Sequence, residues 1–139
     1  MLIRPNDLRI GNYLCDKFNQ LIIVQEIRSN AIVCVLLIPS EHDNQVFLNA
    51  LSNTLMDYNS LYPMELNDFI LGNMEFKYAQ SNDSETEYEY SGFRITLNKA
   101  NNTFSYKLGA EIIELKYLHD LQNLFYTIKK QDLSLPIFQ

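Results

Sequence analysis

Four polar side chains near the C-terminus are spaced so that a helix would bring them together: His119, Gln122, Asn123 and Tyr126. At about 100° per residue, these positions share one side of a helix. Histidine titrates near neutral pH, but acid–base catalysis also needs a nucleophile or a carboxylate against the imidazole, and Asp120 points about 100° away around the helix. Three roles stay open for this face: a structural tie to neighbouring backbone, a recognition surface, or a catalytic site built on His119.

A second candidate site is acidic. The alternating acids are Asp83, Glu85, Glu87 and Glu89. In an extended segment these carboxylates would line one side, with Tyr88 and Tyr90 on the other. Like charges this close repel one another and need water, a cation or a basic partner. The spacing does not match a calcium-binding loop, which also requires a glycine at its sharp turn. The segment is therefore either a solvated loop or edge strand, or a surface for a metal ion or a basic protein partner.

Histidine, cysteine and glycine give no sign of a metal or cofactor site. His42 lies between Glu41 and Asp43 with no second histidine nearby, whereas zinc requires several protein ligands. Cys15 and Cys34 lie in apolar, strand-like surroundings, which is typical of buried free thiols. The four glycines never cluster, so a phosphate loop and a dinucleotide fingerprint are both missing. We expect no metal ion, no cofactor and no enzymatic activity.

The overall composition is that of an acidic globular protein. The 139 residues are 47% hydrophobic and carry a net charge of −6, and a chain of this length can bury a core without disulfides. The eleven basic residues are scattered, which argues against binding to nucleic-acid backbone. No apolar run reaches roughly 18 residues and no signal-peptide core opens the chain, so we expect a cytoplasmic protein that does not bind membranes.

An apolar stripe accompanies the polar face of the C-terminal segment. Its members are Leu118, Leu121, Leu124, Phe125 and Ile128. The helical spacing predicts a helix over residues 117–128 that buries this stripe.

A run of strand signals precedes that helix. The segments are Met74–Ala79, Tyr88–Tyr90, Gly92–Asn98, Thr103–Leu108 and Glu111–Leu115. Several of them alternate between apolar and polar residues, which predicts an antiparallel meander with one wet and one buried face. We expect the C-terminal helix to cover the buried face.

The first half of the chain is also rich in β-branched residues. Leu21–Ile27 and Ala31–Ile38 flank Arg28-Ser29-Asn30, which predicts a β-hairpin. Residues 8–16 are expected to form a first strand, broken at its glycine, and residues 39–44 a polar loop.

Residues 47–58 fit two different structures. Val46–Leu48 and Thr54–Tyr58 can form two short strands around Ser52-Asn53. The alternative is a helix, because the apolar residues also match a helical period. We prefer the strands, since several short strands can close into a small barrel without exposed edges.

These elements predict an α+β fold with two parts. Residues 1–64 are expected to form an SH3-like, barrel-like β lobe. Residues 65–139 should hold a short helix, the antiparallel sheet and the C-terminal helix, all in one compact unit with the first part. The short helix should begin after Asn67, which can cap it, and its dipole should be complemented by Asp68.

Three segments taken together resemble a family. They are Leu8–Tyr13, Pro63–Leu71 and His119–Phe125. In order and spacing they are similar to uncharacterised small proteins of Bacteroidetes-type phages, prophages and mobile elements. That family commonly has glycine where Glu75 stands and threonine-glycine where Lys129-Lys130 stands, and a left-handed residue after a helix is costlier without glycine. The resemblance implies a small cytoplasmic accessory protein of a mobile element.

Three functions are compatible with these observations. The first is a non-enzymatic protein that binds a host protein, for example a defence component, as the acidic charge and the missing catalytic constellation favour. The second is a sponge for a small nucleotide signal, with some of the seventeen aromatic side chains stacking on its base. The third is an enzyme that uses His119.

Overall fold

The computed structural model describes residues 3–42 and 45–135. Their contacts divide the chain into two compact units, Met1–Met64 and Glu65–Gln139. The α+β class predicted from the sequence is confirmed.

The first unit contains a four-stranded antiparallel sheet in the order β1-β2-β3-β4. Its elements are a 3₁₀ turn at Pro5–Asp7, β1 (Tyr13–Cys15), β2 (Leu21–Ile27), β3 (Ala31–His42), β4 (Gln45–Asp57) and a 3₁₀ turn at Tyr58–Ser60. The predicted hairpin is confirmed as β2–β3, where the amide of Arg28 donates to the carbonyl of Ala31 at 2.9 Å.

The first strand is shorter than expected. Only Tyr13–Cys15 is regular strand, because the backbone turns at Gly11 with φ 95°. Before β1, two backbone hydrogen bonds still connect the chain to β2. The Gly11 amide donates to the Val24 carbonyl at 2.8 Å, and the Val24 amide donates to the Asn12 carbonyl at 3.0 Å. Glycine suits this turn because it adopts positive φ without steric cost.

β4 is one continuous strand, so the expectation of two short strands was wrong, and so was the helical alternative. Cys34 faces Thr54 while Leu36 faces Leu51, so two residues of β4 oppose one of β3. This β-bulge lies at Ser52-Asn53, and Asn53 has φ 59°. The two turn-favouring residues therefore bend a strand instead of ending it.

The predicted loop over residues 39–44 was also wrong where the structure describes it. Residues 39–42 continue β3, and Pro39 is paired in register with Leu48. Among the described strands, β2 pairs with β3 only as far as Leu37. Pro39 lies beyond Leu37, where β3 no longer pairs with β2. A residue without an N–H donor is tolerated on such an unpaired side of a strand. Asp43 and Asn44 lie outside the described residues.

The core of the first unit lies beneath the sheet and gathers Ile3, Leu8, Leu14, Ile22, Val24, Ile32, Cys34, Tyr58 and Leu61. After the second 3₁₀ turn, Tyr62 pairs with Cys15 on the side of β1 away from β2, with N···O distances of 2.8 and 2.9 Å. The chain that follows β4 therefore returns to β1. Full closure into an SH3-like barrel stays a prediction.

The second unit contains a five-stranded antiparallel sheet in the order β5-β6-β7-β8-β9, which confirms the meander. Its elements are α1 (Asp68–Asn73), β5 (Lys77–Ser81), β6 (Glu85–Tyr90), β7 (Phe93–Asn98), β8 (Thr103–Leu108), β9 (Glu111–Leu115) and α2 (Leu118–Lys129).

Both helices end on left-handed residues that are not glycine. After α1 the amide of Phe76 donates to the Leu71 carbonyl at 2.9 Å and that of Glu75 to the Gly72 carbonyl at 3.1 Å, which is a Schellman motif. Glu75 has φ 68°, and Lys130 after α2 has φ 59°. Both residues adopt the left-handed conformation although each carries a side chain, which is costlier than glycine at such a position.

Aromatic rings pack α2 against one face of the second sheet. Phe125 lies 5.7 Å from Tyr90 and 5.2 Å from Phe93, measured between ring centroids, and Phe93 stacks on Tyr106 at 4.6 Å. Leu121 of the same helix is also fully buried. The predicted helix and its cover of the sheet are confirmed.

The buried side of α2 differs from the predicted stripe. Leu118, Leu121 and Phe125 are buried as expected, and the remaining buried residues are His119 and Gln122. Leu124 is only half-buried, and Ile128 is 36% exposed. The buried side of the helix is thus rotated toward its polar residues, and Gln122 makes a hydrogen bond to the Leu133 carbonyl there.

This rotation can be tested with two single substitutions in α2. Leu121→Ala should lower the free energy of unfolding by about 2–5 kcal/mol, because it opens a cavity in a packed core. Ile128→Ala should cost less than about 1 kcal/mol, since the side chain is part-exposed and alanine favours helix. Urea denaturation measures both changes. Equal losses in the two variants would contradict the rotation.

Candidate functional site

The polar residues of α2 do not form one accessible face. His119 is fully buried and stacks on the ring of Tyr117, with centroids 5.8 Å apart, and its Nε2 lies 3.6 Å from Oδ1 of Asp120. The expectation that Asp120 points away from the imidazole was therefore wrong. Catalysis at His119 would require the start of α2 to open, because the imidazole is enclosed by protein.

Gln122 has a definable structural role. Its side chain is 2% exposed, and its Nε2 donates to the carbonyl of Leu133 at 2.9 Å. This buried bond fastens the segment after α2 back onto the helix. Asn123 is half-buried and Tyr126 is 39% exposed, so these two remain accessible to a partner.

The acidic segment is split between a strand and a turn. Glu85, Glu87 and Glu89 lie on the face of β6 opposite to its buried side chains, while Asp83 is exposed in the preceding turn. Arg94 on β7 lies 3.5 Å from a carboxylate oxygen of Glu87 and equally far from one of Glu89. The neighbouring strand thus supplies a cation to two of the acids, which reduces their attraction for a basic partner.

A cluster that the sequence patterns did not reveal joins α1 to the second sheet. Oδ1 of Asp68 accepts hydrogen bonds from the hydroxyls of Tyr78 at 2.7 Å and Tyr88 at 2.8 Å. The two tyrosines are register partners on β5 and β6, and their ring centroids are 5.2 Å apart. The sequence predicts Asp68 only as a helix-start residue, because its hydrogen-bond partners lie 10 and 20 positions away.

These bonds fix the protonation state of the Asp68 cluster. The hydroxyl of Tyr78, and then that of Tyr88, lower the pKa of Asp68. Burial and then the Asp68 bond raise the pKa of Tyr88, and the Asp68 bond raises that of Tyr78. At neutral pH the carboxylate is ionised and both phenols keep their protons. The cluster therefore ties α1 to the sheet through two hydrogen bonds to a charged acceptor.

Both cysteines are buried free thiols, as predicted. The thiol of Cys34 donates to the Thr54 carbonyl at 3.4 Å and that of Cys15 to the Tyr62 carbonyl at 3.5 Å. Burial raises the pKa of each thiol. They are therefore poor nucleophiles and act as small core residues.

Exposed aromatic side chains line a pocket in the first unit, which we call the Phe18–Tyr62 pocket. Its volume is about 260 Å³, and it is lined by Asp16, Lys17, Phe18, Met56, Asn59, Ser60 and Tyr62. Phe18 is 71% exposed and Tyr62 46% exposed. Two large rings therefore stand partly in water at the rim of one concave surface.

Local hydrogen bonds hold both walls of this pocket. Oδ1 of Asp16 accepts from the amides of Phe18 at 2.8 Å and Gln20 at 2.9 Å, which rigidifies the turn carrying the Phe18 ring. Oδ1 of Asp57 accepts from the Ser60 amide at 3.1 Å and caps the 3₁₀ turn on the other wall. The sequence does not predict this pocket, because the segments that form its walls lie far apart in the chain.

A second, larger pocket lies in the second unit, where α1 ends beside β5 and β6. Its volume is about 550 Å³, and it is lined by Gly72, Glu75, Phe76, Lys77, Tyr78, Glu89, Tyr90 and Ser91. The rings of Phe76 and Tyr90 lie 5.6 Å apart within it. Lys77 is the one basic side chain among these lining residues.

The described residues place no group of three or more histidine, cysteine, aspartate or glutamate side chains where they could hold a metal ion. Neither α-helix in the described ranges combines the length and apolar character needed to cross a bilayer. Comparisons with protein-family models, curated proteins and solved structures find no match to this chain. Its function is therefore inferred from geometry and from the motifs above.

The Asp68 cluster predicts a defined pH dependence of stability. Because the pKa of Asp68 is lower in the folded than in the unfolded chain, its contribution is present above the unfolded pKa near 4 and is lost as the pH falls through the folded value. Asp68→Asn should therefore destabilise the protein at neutral pH, and the difference from wild type should shrink below about pH 4.

Denaturant unfolding at a series of pH values measures this difference. Tyr88→Phe should cost about 1–2 kcal/mol at neutral pH, since it removes a hydrogen bond to a charged group. Asp83→Asn, in an exposed turn, is the matched control and should follow wild type. A constant offset for Asp68→Asn at every pH would show that the loss is steric.

Proposed function

We propose that this protein is a non-enzymatic accessory protein of a phage or mobile element that acts in the host cytoplasm by binding a host protein. The observation that carries the proposal is the Phe18–Tyr62 pocket. The resemblance of the Leu8–Tyr13, Pro63–Leu71 and His119–Phe125 motifs supports the mobile-element context.

The chemistry of the pocket suits a protein partner. Aromatic side chains and methionine are enriched at protein interfaces, and rings that fill partner pockets carry much of the binding energy. Here Phe18 and Tyr62 form the exposed rim and Met56 contributes an adaptable thioether. The amine of Lys17 lies 5.1 Å from the centre of the Phe18 ring, so a charge stands beside the apolar surface.

Rigidity of the walls supports the same proposal. Cys15, which precedes the turn that carries Phe18, pairs through its backbone with Tyr62, so the turn and the Tyr62 segment are held next to each other. A preformed pair of anchors loses little conformational entropy on binding. A barrel-like closure of the first unit would fix this arrangement further. A defence component of the host is the partner that a mobile-element origin favours.

Affinity capture from host lysate tests this function. The wild-type protein should retain a host protein at near-stoichiometric yield, and Phe18→Ala should lose most of it because the ring is an anchor of the interface. Phe69→Ala is the matched control, since Phe69 is 76% exposed but lies on α1 of the second unit. Both substitutions should leave the melting temperature near wild type, because each ring is exposed.

Two outcomes would contradict the proposal. One is the absence of any near-stoichiometric partner in lysates of the host. The other is a partner that Phe18→Ala and Phe69→Ala retain equally, which would place the interface elsewhere.

A nucleotide-signal sponge is the second candidate, and the 550 Å³ pocket favours it. The volume falls in the usual range for small-molecule sites, and Tyr78 and Tyr90 supply aromatic surface for a base. The pocket offers one lysine and no glycine-rich loop for phosphates. A thermal-shift panel of mono-, di- and cyclic nucleotides tests it: a ligand that the pocket holds should raise the melting temperature. A flat response across the panel would remove this candidate.

A further inference from the structure

We infer that the Phe18–Tyr62 pocket takes a basic side chain of its partner, best an arginine, with Asp16 as the counter-charge and the two rings as aromatic walls. The inference rests on the proposed function, because it names the chemistry that the host protein presents to this pocket.

Asp16 is the acidic group of the pocket. The residue lines the pocket and is only 8% exposed. Its Oδ1 accepts the amides of Phe18 and Gln20. Its Oδ2 has no hydrogen-bond or ion-pair partner among the described residues, yet protein does not enclose that atom. The carboxylate therefore uses one oxygen to hold the turn and leaves the other for a donor that enters the pocket.

The charge around the pocket favours a cation. A bond between a carboxylate and a guanidinium or ammonium group is stronger than a neutral hydrogen bond, and exclusion of water strengthens it further. Asp57 adds a second, exposed carboxylate at the 3₁₀ turn of the other wall. Lys17 is the one basic residue among those that line the pocket. Two acids therefore stand against one base at this surface.

The aromatic walls favour a cation as well. A positive charge within about 6 Å of a ring centre is attracted by the electrons of the ring face. The Phe18 ring already attracts one, since the amine of Lys17 lies 5.1 Å from its centre. A guanidinium group is planar and can stack on a ring while it donates to a carboxylate, whereas an ammonium group acts as a point charge. Arginine therefore fits this pocket better than lysine.

The size of the pocket favours one side chain over a free metabolite. Its volume is about 260 Å³, whereas small-molecule sites usually measure about 300–1,000 Å³. Lys17 is exposed, and its ammonium group competes for the Phe18 ring and repels an incoming cation. Replacement of Lys17 by an uncharged side chain should therefore strengthen the binding of a basic partner.

An NMR titration of the isotope-labelled protein with short peptides tests the inference. The first peptide is acetyl-Gly-Ala-Arg-Ala-Gly-amide, and the second has citrulline, which keeps the shape of arginine without its charge. The arginine peptide should shift the amide signals of Lys17, Phe18 and Ser60 to saturation. The citrulline peptide should bind about tenfold more weakly, because it lacks the charge-assisted bond to Asp16. A lysine peptide should lie between the two.

Asp16→Asn separates the charge from the fold. The asparagine oxygen can still accept the amides of Phe18 and Gln20, so the turn keeps its acceptor while the negative charge is lost. Binding of the arginine peptide should fall about tenfold, and circular dichroism should show a folded protein. Asp83→Asn is the matched control, since it removes one charge from an exposed turn of the second unit and should bind like wild type. Lys17→Met should bind the peptide more tightly.

Three results would overturn the inference. They are equal binding of the arginine and citrulline peptides, wild-type affinity in Asp16→Asn, and the absence of any shift with every peptide. The titrations need no host protein, so their failure leaves a Phe18-dependent capture from lysate standing. A lysate without a near-stoichiometric partner would instead remove the proposed function, while the titrations would still decide whether the pocket takes a cation.

Discussion

Burial of Phe125 against the aromatic face of the sheet is the interaction on which the second unit depends. This ring contacts Tyr90 on β6 and Phe93 on β7, the strands at the middle of the meander. An antiparallel sheet with one uncovered apolar face is unstable in water, and α2 supplies the cover. The position of Phe125 also sets the rotation of the helix, which carries His119 and Gln122 into the interior and leaves Ile128 at the surface.

Several acidic side chains of this chain have local structural roles. Asp68 accepts from two phenols, Asp16 and Asp57 accept from backbone amides, and Arg94 neutralises part of the carboxylate row on β6. These acids stabilise turns, caps and helix–sheet contacts. A carboxylate that accepts hydrogen bonds keeps its charge, so acids with structural roles contribute to the net charge of −6 together with acids that face solvent.

The surface that we propose for a protein partner lies in the first unit. The Phe18–Tyr62 pocket combines exposed rings with walls held by hydrogen bonds. Side chains whose positions are already fixed lose little conformational entropy on binding, and their burial gives selectivity for one partner.

The sequence by itself determined the elements whose signals are local. The β2–β3 hairpin, the cap of α1 at Asn67, the meander and α2 all follow from periodicity or from residues within one turn of each other, because backbone preferences and amphipathic burial act over that range. The α+β class followed from their order. Local signals failed at Ser52-Asn53, where residues that favour turns formed a bulge because β3 offered a partner strand on both sides of them.

Only the tertiary structure decided which side chains meet. The rotation of α2, the junction of Asp68 with Tyr78 and Tyr88, and the joining of the Phe18 turn to Tyr62 each depend on strand register and on contacts between residues distant in sequence. A single sequence carries no direct record of such contacts, since the residue types involved are common ones with ordinary local roles. The sequence alone therefore does not predict the candidate site, although the strands and turns that build it follow local backbone preferences.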